Sequence, residues 1–104
     1  MIHTAVSRAG APIRLTDERW GHIVTVHGAL IGMRASMLAA ISNAERVVAG
    51  RFGELLAIRT VEEGKSLVVV YRERGPSDGF VITAFIARRV AALNRRSRLW
   101  PPER

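Results

Sequence analysis

The chain of 104 residues contains no cysteine. This absence excludes disulfide bonds, thiolate metal sites, iron–sulfur clusters and a cysteine nucleophile, and it fits a reducing compartment. The sequence also lacks an apolar run of the roughly 18–20 residues that a membrane-spanning helix needs. Its first twelve residues have no continuous apolar stretch of the kind found in secretion signals. We therefore expect a cytoplasmic protein with no membrane partner.

Motifs for cofactors, metals and a serine nucleophile are missing as well. The sequence has no P-loop, no dinucleotide-binding glycine pattern and no Gly-x-Ser-x-Gly motif. Histidine is scarce, with His3, His22 and His27 the only three. His22 and His27 lie on one predicted helix and point about 140° apart, so they cannot bind one metal as an i, i+4 pair does. We expect no metal site and no cofactor.

Positive charge is abundant and unevenly distributed. The chain has 16 lysines and arginines against 9 acids, and Lys65 is the only lysine. Residues 88–104 contain six arginines and a single acid, Glu103. Clustered guanidinium groups match phosphate oxygens, so nucleic acid or an acidic protein is the expected partner. A solvated basic tail without a ligand is the alternative. The predicted substrate-binding residues in this stretch are Arg88, Arg89, Arg95 and Arg96.

Hydrophobic periodicity predicts one α+β domain over residues 13–88, between a flexible arm (1–12) and a basic C-terminal tail (89–104). Thr16 is a predicted N-cap, with Asp17 and Glu18 in the first turn of a helix that ends near Gly28. A second helix is predicted over 30–44 and a short basic helix over 90–98. The predicted strands are 45–49, 55–61, 67–73 and 80–88. This order predicts two N-terminal helices packed on one face of a three- to four-stranded antiparallel sheet.

The predicted hairpin turns set a register for the sheet. They place Arg59 opposite Val68 and Arg72 opposite Val81. Because side chains alternate along a strand, Arg59, Arg72 and Thr83 would then share one face. The other face, which we expect to be the core, would carry Ile58, Val69, Tyr71, Ile82 and Ala84.

His27 is the histidine best placed for chemistry. It falls on the helix face of Trp20, Ile23 and Val24, which should point towards the sheet. A metal-free ribonuclease needs a base, an acid and cations around one phosphate, because RNA supplies its own 2′-hydroxyl nucleophile. The alternative for His27 is a structural or helix-capping role. For His22 it is a surface i, i+4 pair with Glu18.

Four segments of the chain resemble a known nuclease superfamily. They are residues 13–23 (IRLTDERWGHI, followed by His27), 53–59, 67–73 and 78–85. Together they resemble the phage and toxin branch of the barnase/EndoU/colicin/RelE-like superfamily of small bacterial and phage proteins. The resemblance implies N-terminal helices followed by a four-stranded antiparallel sheet, and cleavage of RNA without metal. It also implies a small acidic antitoxin protein as a partner.

The resemblance also suggests roles for individual residues. His22 and His27 would be the acid–base groups, and the substrate or phosphate groups would be Arg59, Tyr71, Arg72 and Thr83. The sequence thus predicts a toxin-type, metal-independent endoribonuclease in which Arg59 and Arg72 stabilise the phosphorane. The alternative is a non-catalytic RNA-, ribosome- or protein-binding module of the same fold that binds through its basic tail.

Overall fold

A computed structural model of the protein describes residues 2–102. The first residue of the predicted arm and the last two of the predicted tail lie outside this range. The chain forms three α-helices and seven strands: β1 (Ile2–Val6), β2 (Pro12–Thr16), α1 (Asp17–Val26), α2 (Arg34–Ser42), β3 (Arg46–Ala49), β4 (Leu55–Glu62), β5 (Lys65–Glu73), β6 (Gly79–Ala87), α3 (Ala91–Asn94) and β7 (Arg98–Trp100).

The ends of the first two helices follow from local chemistry. Thr16 caps α1 as predicted, because its hydroxyl accepts a hydrogen bond from the backbone N–H of Arg19 at 3.0 Å. The second helix is shorter than predicted and begins at Arg34. Gly32 lies just before it with φ 81°, a left-handed conformation that a continuing helix cannot contain.

The sheet has the order β1-β2-β6-β5-β4-β3-β7. All neighbours are antiparallel except β2 and β6, which are parallel through the pair Arg14 and Phe80. The predicted three- to four-stranded antiparallel sheet is therefore wrong. Residues 2–6 and 98–100, in the segments predicted as arm and tail, extend the sheet at its two ends.

Both faces of the sheet are apolar. Helices α1 and α2 pack on the first, which we call the helix face; its core includes Ile13, Leu15, Ile23, Leu30, Met37, Ile41, Val47, Ala57, Leu67, Val69 and Tyr71. The second, which we call the α3 face, has a smaller core of Val48, Leu56, Ile58, Val68 and Leu93. Because Leu93 belongs to α3, this short helix covers part of the second face. The fold is thus three layers, with the sheet in the middle.

A bulge changes the register of the β4–β5 hairpin. Glu62 pairs with Lys65 around the predicted two-residue turn, but the register shifts between Thr60 and Glu62. Arg59 consequently lies opposite Leu67, not opposite Val68 as predicted. A shift of one residue moves a side chain to the other face of a sheet. Arg59 therefore lies on the helix face.

A second bulge interrupts the β5–β6 pairing. Val70 pairs with Thr83 as predicted, but the register shifts before Tyr71, so that Arg72 lies opposite Phe80 and not opposite Val81. Arg72 and Thr83 both remain on the α3 face, together with Val70. The first bulge alone separates Arg59 from Arg72, which the predicted register had placed on one face, because only the β4–β5 pairing relates their two strands.

Candidate nucleic-acid interface

The two strand arginines of the predicted catalytic group lie on opposite faces of the sheet. On the helix face, Arg59 Nη1 donates to the carbonyl oxygen of Asn43, the residue that ends α2, at 2.7 Å. On the α3 face, Arg72 Nη2 donates to the carbonyl oxygen of Phe52 at 2.8 Å and lies 3.8 Å from Glu54 Oε2. Each guanidinium ties a neighbouring segment to the sheet. They cannot contact the same phosphate.

The predicted acid–base histidines do not face each other. His22 is exposed on α1 beside Thr16, Glu18 and Arg19. His27 is half-buried and ends α1, where its backbone N–H donates to the carbonyl oxygen of Ile23 at 2.7 Å. The His27 ring packs against Phe85, with the ring centroids 6.4 Å apart and the planes tilted by 43°. This geometry fits the helix-capping alternative for His27.

Tyr71 and Thr83, predicted to contact substrate, are also on opposite faces. Tyr71 is 2% exposed in the core of the helix face. Burial, and then the nearby carboxylate of Glu73, raise the pKa of its phenol above the usual value of 10.0. Thr83 is half-buried on the α3 face opposite Val70. Tyr71 is thus an almost fully buried core residue on the face opposite to Thr83.

The predicted tail arginines fall into two groups. Arg88, Arg89 and Arg95 are exposed, and Arg88 also lines a cavity of about 600 Å³ between α2 and the β4–β5 hairpin. Arg96 is half-buried, and its Nη1 donates to the carbonyl oxygen of Ala49 at 3.5 Å. Arg96 is therefore the one among the four that the fold fixes against the sheet.

Arg96 belongs to a cavity of about 220 Å³ on the α3 face, beside β3. Arg46 and Val48 come from β3, where the alternation of side chains puts both on this face. Arg98 lies opposite Val48 in β7, and Asn94 is the last residue of α3. We call the space lined by Arg46, Val48, Asn94, Arg96 and Arg98 the arginine cavity.

A clamp on the helix face holds β7 in place. The Arg8 guanidinium lies 4.0 Å from the centroid of the Trp100 ring, on which it stacks. Its Nε and Nη2 both donate to the carbonyl oxygen of Ala44, at 3.1 and 2.9 Å. Trp100 pairs with Val47 of β3. These contacts hold β7, the strand that carries Arg98, against the sheet, and so they fix one side of the arginine cavity.

The arginine cavity is electrostatically unusual. Within residues 2–102, none of its three guanidinium groups lies within ion-pair distance of a carboxylate, whereas Arg14, Arg34 and Arg72 each have such a partner. In the same part of the chain, the Nε of Arg46 is buried and has no hydrogen-bond partner. A buried donor without an acceptor costs about 1–3 kcal/mol. An anion bound in the cavity would supply the missing acceptor.

A second cavity, of about 260 Å³, lies directly beside the first and shares Arg46 with it. Its other lining residues are Glu45, Ile58, Thr60, Ser66 and Val90, and we call it the hydroxyl cavity. Glu45 Oε1 accepts hydrogen bonds from the backbone N–H and the hydroxyl of Thr60, both at 2.8 Å. These bonds lower the pKa of Glu45 below its usual value of 4.5, so its carboxyl group is ionised at neutral pH.

Sequence reasoning did not select Arg46, Asn94 or Arg98 for the site. Arg98 was counted only as part of the basic stretch, and Arg46 only as part of a predicted edge strand. Two sequence segments do indicate strands that carry an arginine. They are Arg46-Val47-Val48 and Arg98-Leu99-Trp100, and each begins with arginine and continues with strand-forming apolar residues. Nothing local, however, indicates that the two strands are neighbours.

Metal sites and membrane-spanning helices are both missing from the described residues. No group of three or more His, Asp or Glu side chains between residues 2 and 102 is arranged to hold a metal ion. Within the same range, no helix combines the length and the apolar character required to cross a membrane.

Comparisons of the chain with family models, curated proteins and solved structures find no match. The nuclease resemblance therefore stays a prediction.

Proposed function

We propose that this protein is an RNA-binding module that holds backbone phosphate groups in the arginine cavity. The observation that carries the proposal is that Arg46, whose Nε is buried and has no acceptor among residues 2–102, lines this cavity together with Arg96 and Arg98. Guanidinium groups bind phosphate oxygens through pairs of charge-assisted hydrogen bonds. A phosphate would supply the acceptor and relieve the repulsion among three like charges.

Exposed arginines extend the basic surface beyond the cavity. Arg95 follows α3, and Arg88 and Arg89 follow β6. Such exposed charges attract any phosphate backbone, and this attraction is screened by salt. The arginine cavity would fix one phosphate in place, while these three residues strengthen binding without regard to sequence.

Binding accounts for the geometry better than cleavage. Cleavage through the 2′-hydroxyl needs a base, an acid and cations around one phosphodiester. Arg59 and Arg72 lie on opposite faces of the sheet, and the His27 ring packs against Phe85. The proposal therefore follows the non-catalytic alternative for this sequence, with the site moved to Arg46, Arg96 and Arg98.

Titration of a labelled, unstructured RNA by fluorescence anisotropy at several salt concentrations tests the proposal. We expect log K to fall linearly with log salt, and each of Arg46→Ala and Arg98→Ala to reduce the slope by about 0.7, the value for one single-strand phosphate contact. Arg19→Ala is the matched control, because it removes one exposed charge from α1, away from the cavity. It should leave the slope unchanged.

Three results would count against the proposal. Absence of RNA binding at low salt would refute the proposal. An equal loss of RNA affinity in Arg19→Ala and Arg46→Ala would show that the arginine cavity is not the binding site. RNA incubated with the protein in EDTA should remain intact. Fragments ending in a 2′,3′-cyclic phosphate, lost in His27→Ala, would instead establish the endoribonuclease.

A further inference from the structure

The arginine cavity and the hydroxyl cavity are neighbours on the α3 face. Arg46 forms a wall of both. Val90 lines the hydroxyl cavity and Asn94 lines the arginine cavity, and the two residues are linked by a helical hydrogen bond of 3.0 Å from Asn94 N to Val90 O. Residues four apart on a helix are separated by about 6 Å along its axis. A sugar attached to a phosphate in the arginine cavity would therefore lie within reach of the hydroxyl cavity.

The polar groups of the hydroxyl cavity have unused hydrogen-bonding capacity. Glu45 Oε1 receives both hydrogen bonds from Thr60. Within residues 2–102, no hydrogen bond reaches Glu45 Oε2 or the hydroxyl of Ser66. The site thus offers one acceptor that is always ionised at neutral pH and one hydroxyl that both donates and accepts.

The Glu45 carboxylate lowers the affinity of the site for any nucleic-acid ligand, because its negative charge repels phosphate. Glu45 is exposed, and it lies next to Arg46, where a phosphate is proposed to bind. Like charges repel, so Glu45 weakens binding unless the ligand brings a hydrogen-bond donor to it. Thr60 holds the carboxylate in position for such a donor.

We infer that the hydroxyl cavity recognises the ribose 2′-hydroxyl and makes the protein bind RNA in preference to DNA. The 2′-hydroxyl would donate to Glu45 Oε2 and accept from Ser66, which uses both of its hydrogen-bonding roles. A deoxyribose would leave the Glu45 carboxylate facing the phosphate without a donor. This inference rests on the proposed function, because the phosphate in the arginine cavity sets the position of the sugar.

The experiment compares RNA, DNA and 2′-O-methyl RNA of one sequence by anisotropy at fixed salt. Two hydrogen bonds at a partly exposed site are worth about a tenfold preference for RNA over DNA. The 2′-O-methyl RNA cannot donate from its 2′ position, so it should bind about as weakly as DNA. This probe needs no variant and is therefore independent of any effect on folding.

Variants separate the sugar contact from the phosphate contact. Ser66→Ala should reduce the RNA preference several-fold and leave DNA binding unchanged. Glu45→Gln should raise DNA affinity, because it removes the repulsion, and lower the RNA preference. Arg98→Ala should weaken RNA and DNA equally and keep their ratio. Ser77→Ala, in the exposed β5–β6 loop, is the matched control and should change nothing.

The outcomes distinguish failure of the 2′-hydroxyl inference from failure of the proposed RNA binding. Equal binding of RNA and DNA, with the expected effect of Arg98→Ala on both, would overturn the inference and leave the proposed function intact. An unchanged RNA preference in both Ser66→Ala and Glu45→Gln would also overturn it. If no nucleic acid binds, the proposed function fails and the inference fails with it.

Discussion

At the scale of single residues, Arg46 connects stability with the proposed binding. Its Nε is buried without a partner among the described residues, yet Arg46 lines both cavities. Such a group costs free energy in the unbound protein and is retained where a ligand supplies the missing interaction. Arg72, by contrast, has both a carbonyl and a carboxylate partner and contributes to the fold.

Replacing Arg46 by methionine should therefore separate stability from binding. The change removes the unpartnered donor and keeps an unbranched side chain over Ile58, its partner in β4. We expect the free energy of unfolding to rise by about 1 kcal/mol and RNA affinity to fall. Urea unfolding and anisotropy measure the two quantities. A loss of stability in Arg46→Met would mean that the guanidinium has a structural partner.

At the scale of elements, the two bulges decide which side chains can act together. The Thr16 cap and the two-residue turn at Glu63 and Gly64 were predictable, because capping and turn chemistry are local. The bulge beside Val61 was not, since an extra residue in a strand leaves the apolar pattern nearly unchanged. That single residue puts Arg59 on the helix face, and with it the predicted catalytic group fails to assemble.

The short strands at the sheet ends were missed for a related reason. β1 and β2 have five residues each and β7 has three, too few for a clear alternation. Their places in the sheet depend on contacts between distant segments. The candidate site is built from β3, α3 and β7, so the sequence indicated its positive charge but not its location.

Substitution of two glycines tests how backbone conformation contributes to stability. Gly64 has φ 79° in the β4–β5 turn, and Gly21 lies within α1; a Cβ at either position would meet no atom within 4 Å. Gly64→Ala should lower the free energy of unfolding by about 1 kcal/mol, because alanine is strained in the left-handed region. Gly21→Ala should raise it by a similar amount, about 0.8–1 kcal/mol. Thermal or urea unfolding of both variants checks the opposite signs.

At the scale of the whole molecule, the basic segment is part of the fold. Leu93 is 9% exposed in the core of the α3 face, and β7 pairs with β3 and is clamped by Arg8. The segment after β6 therefore covers apolar surface as well as carrying charge. Residues 91–94 and 98–100 of the predicted basic C-terminal tail thus lie in a helix and a strand.

Truncating Leu93 should show that α3 stabilises the domain. Leu93→Ala removes a buried side chain from beside Val68 and Ile58, and we expect a loss of about 2–3 kcal/mol in the free energy of unfolding. Leu99→Ala is the matched control, because Leu99 is 48% exposed in β7. Its loss should stay below about 0.5 kcal/mol. Equal effects of the two changes would mean that α3 is only loosely attached.

The arginine cavity has a consequence for the timing of folding. Arg46 comes from the middle of the chain and Arg98 from near its end, and they meet only when β7 pairs with β3. Contacts between such distant segments are slow to form, because the intervening chain must first be ordered. A partly folded chain would therefore have no assembled arginine cavity, and the proposed affinity for RNA would be confined to molecules that have completed their sheet.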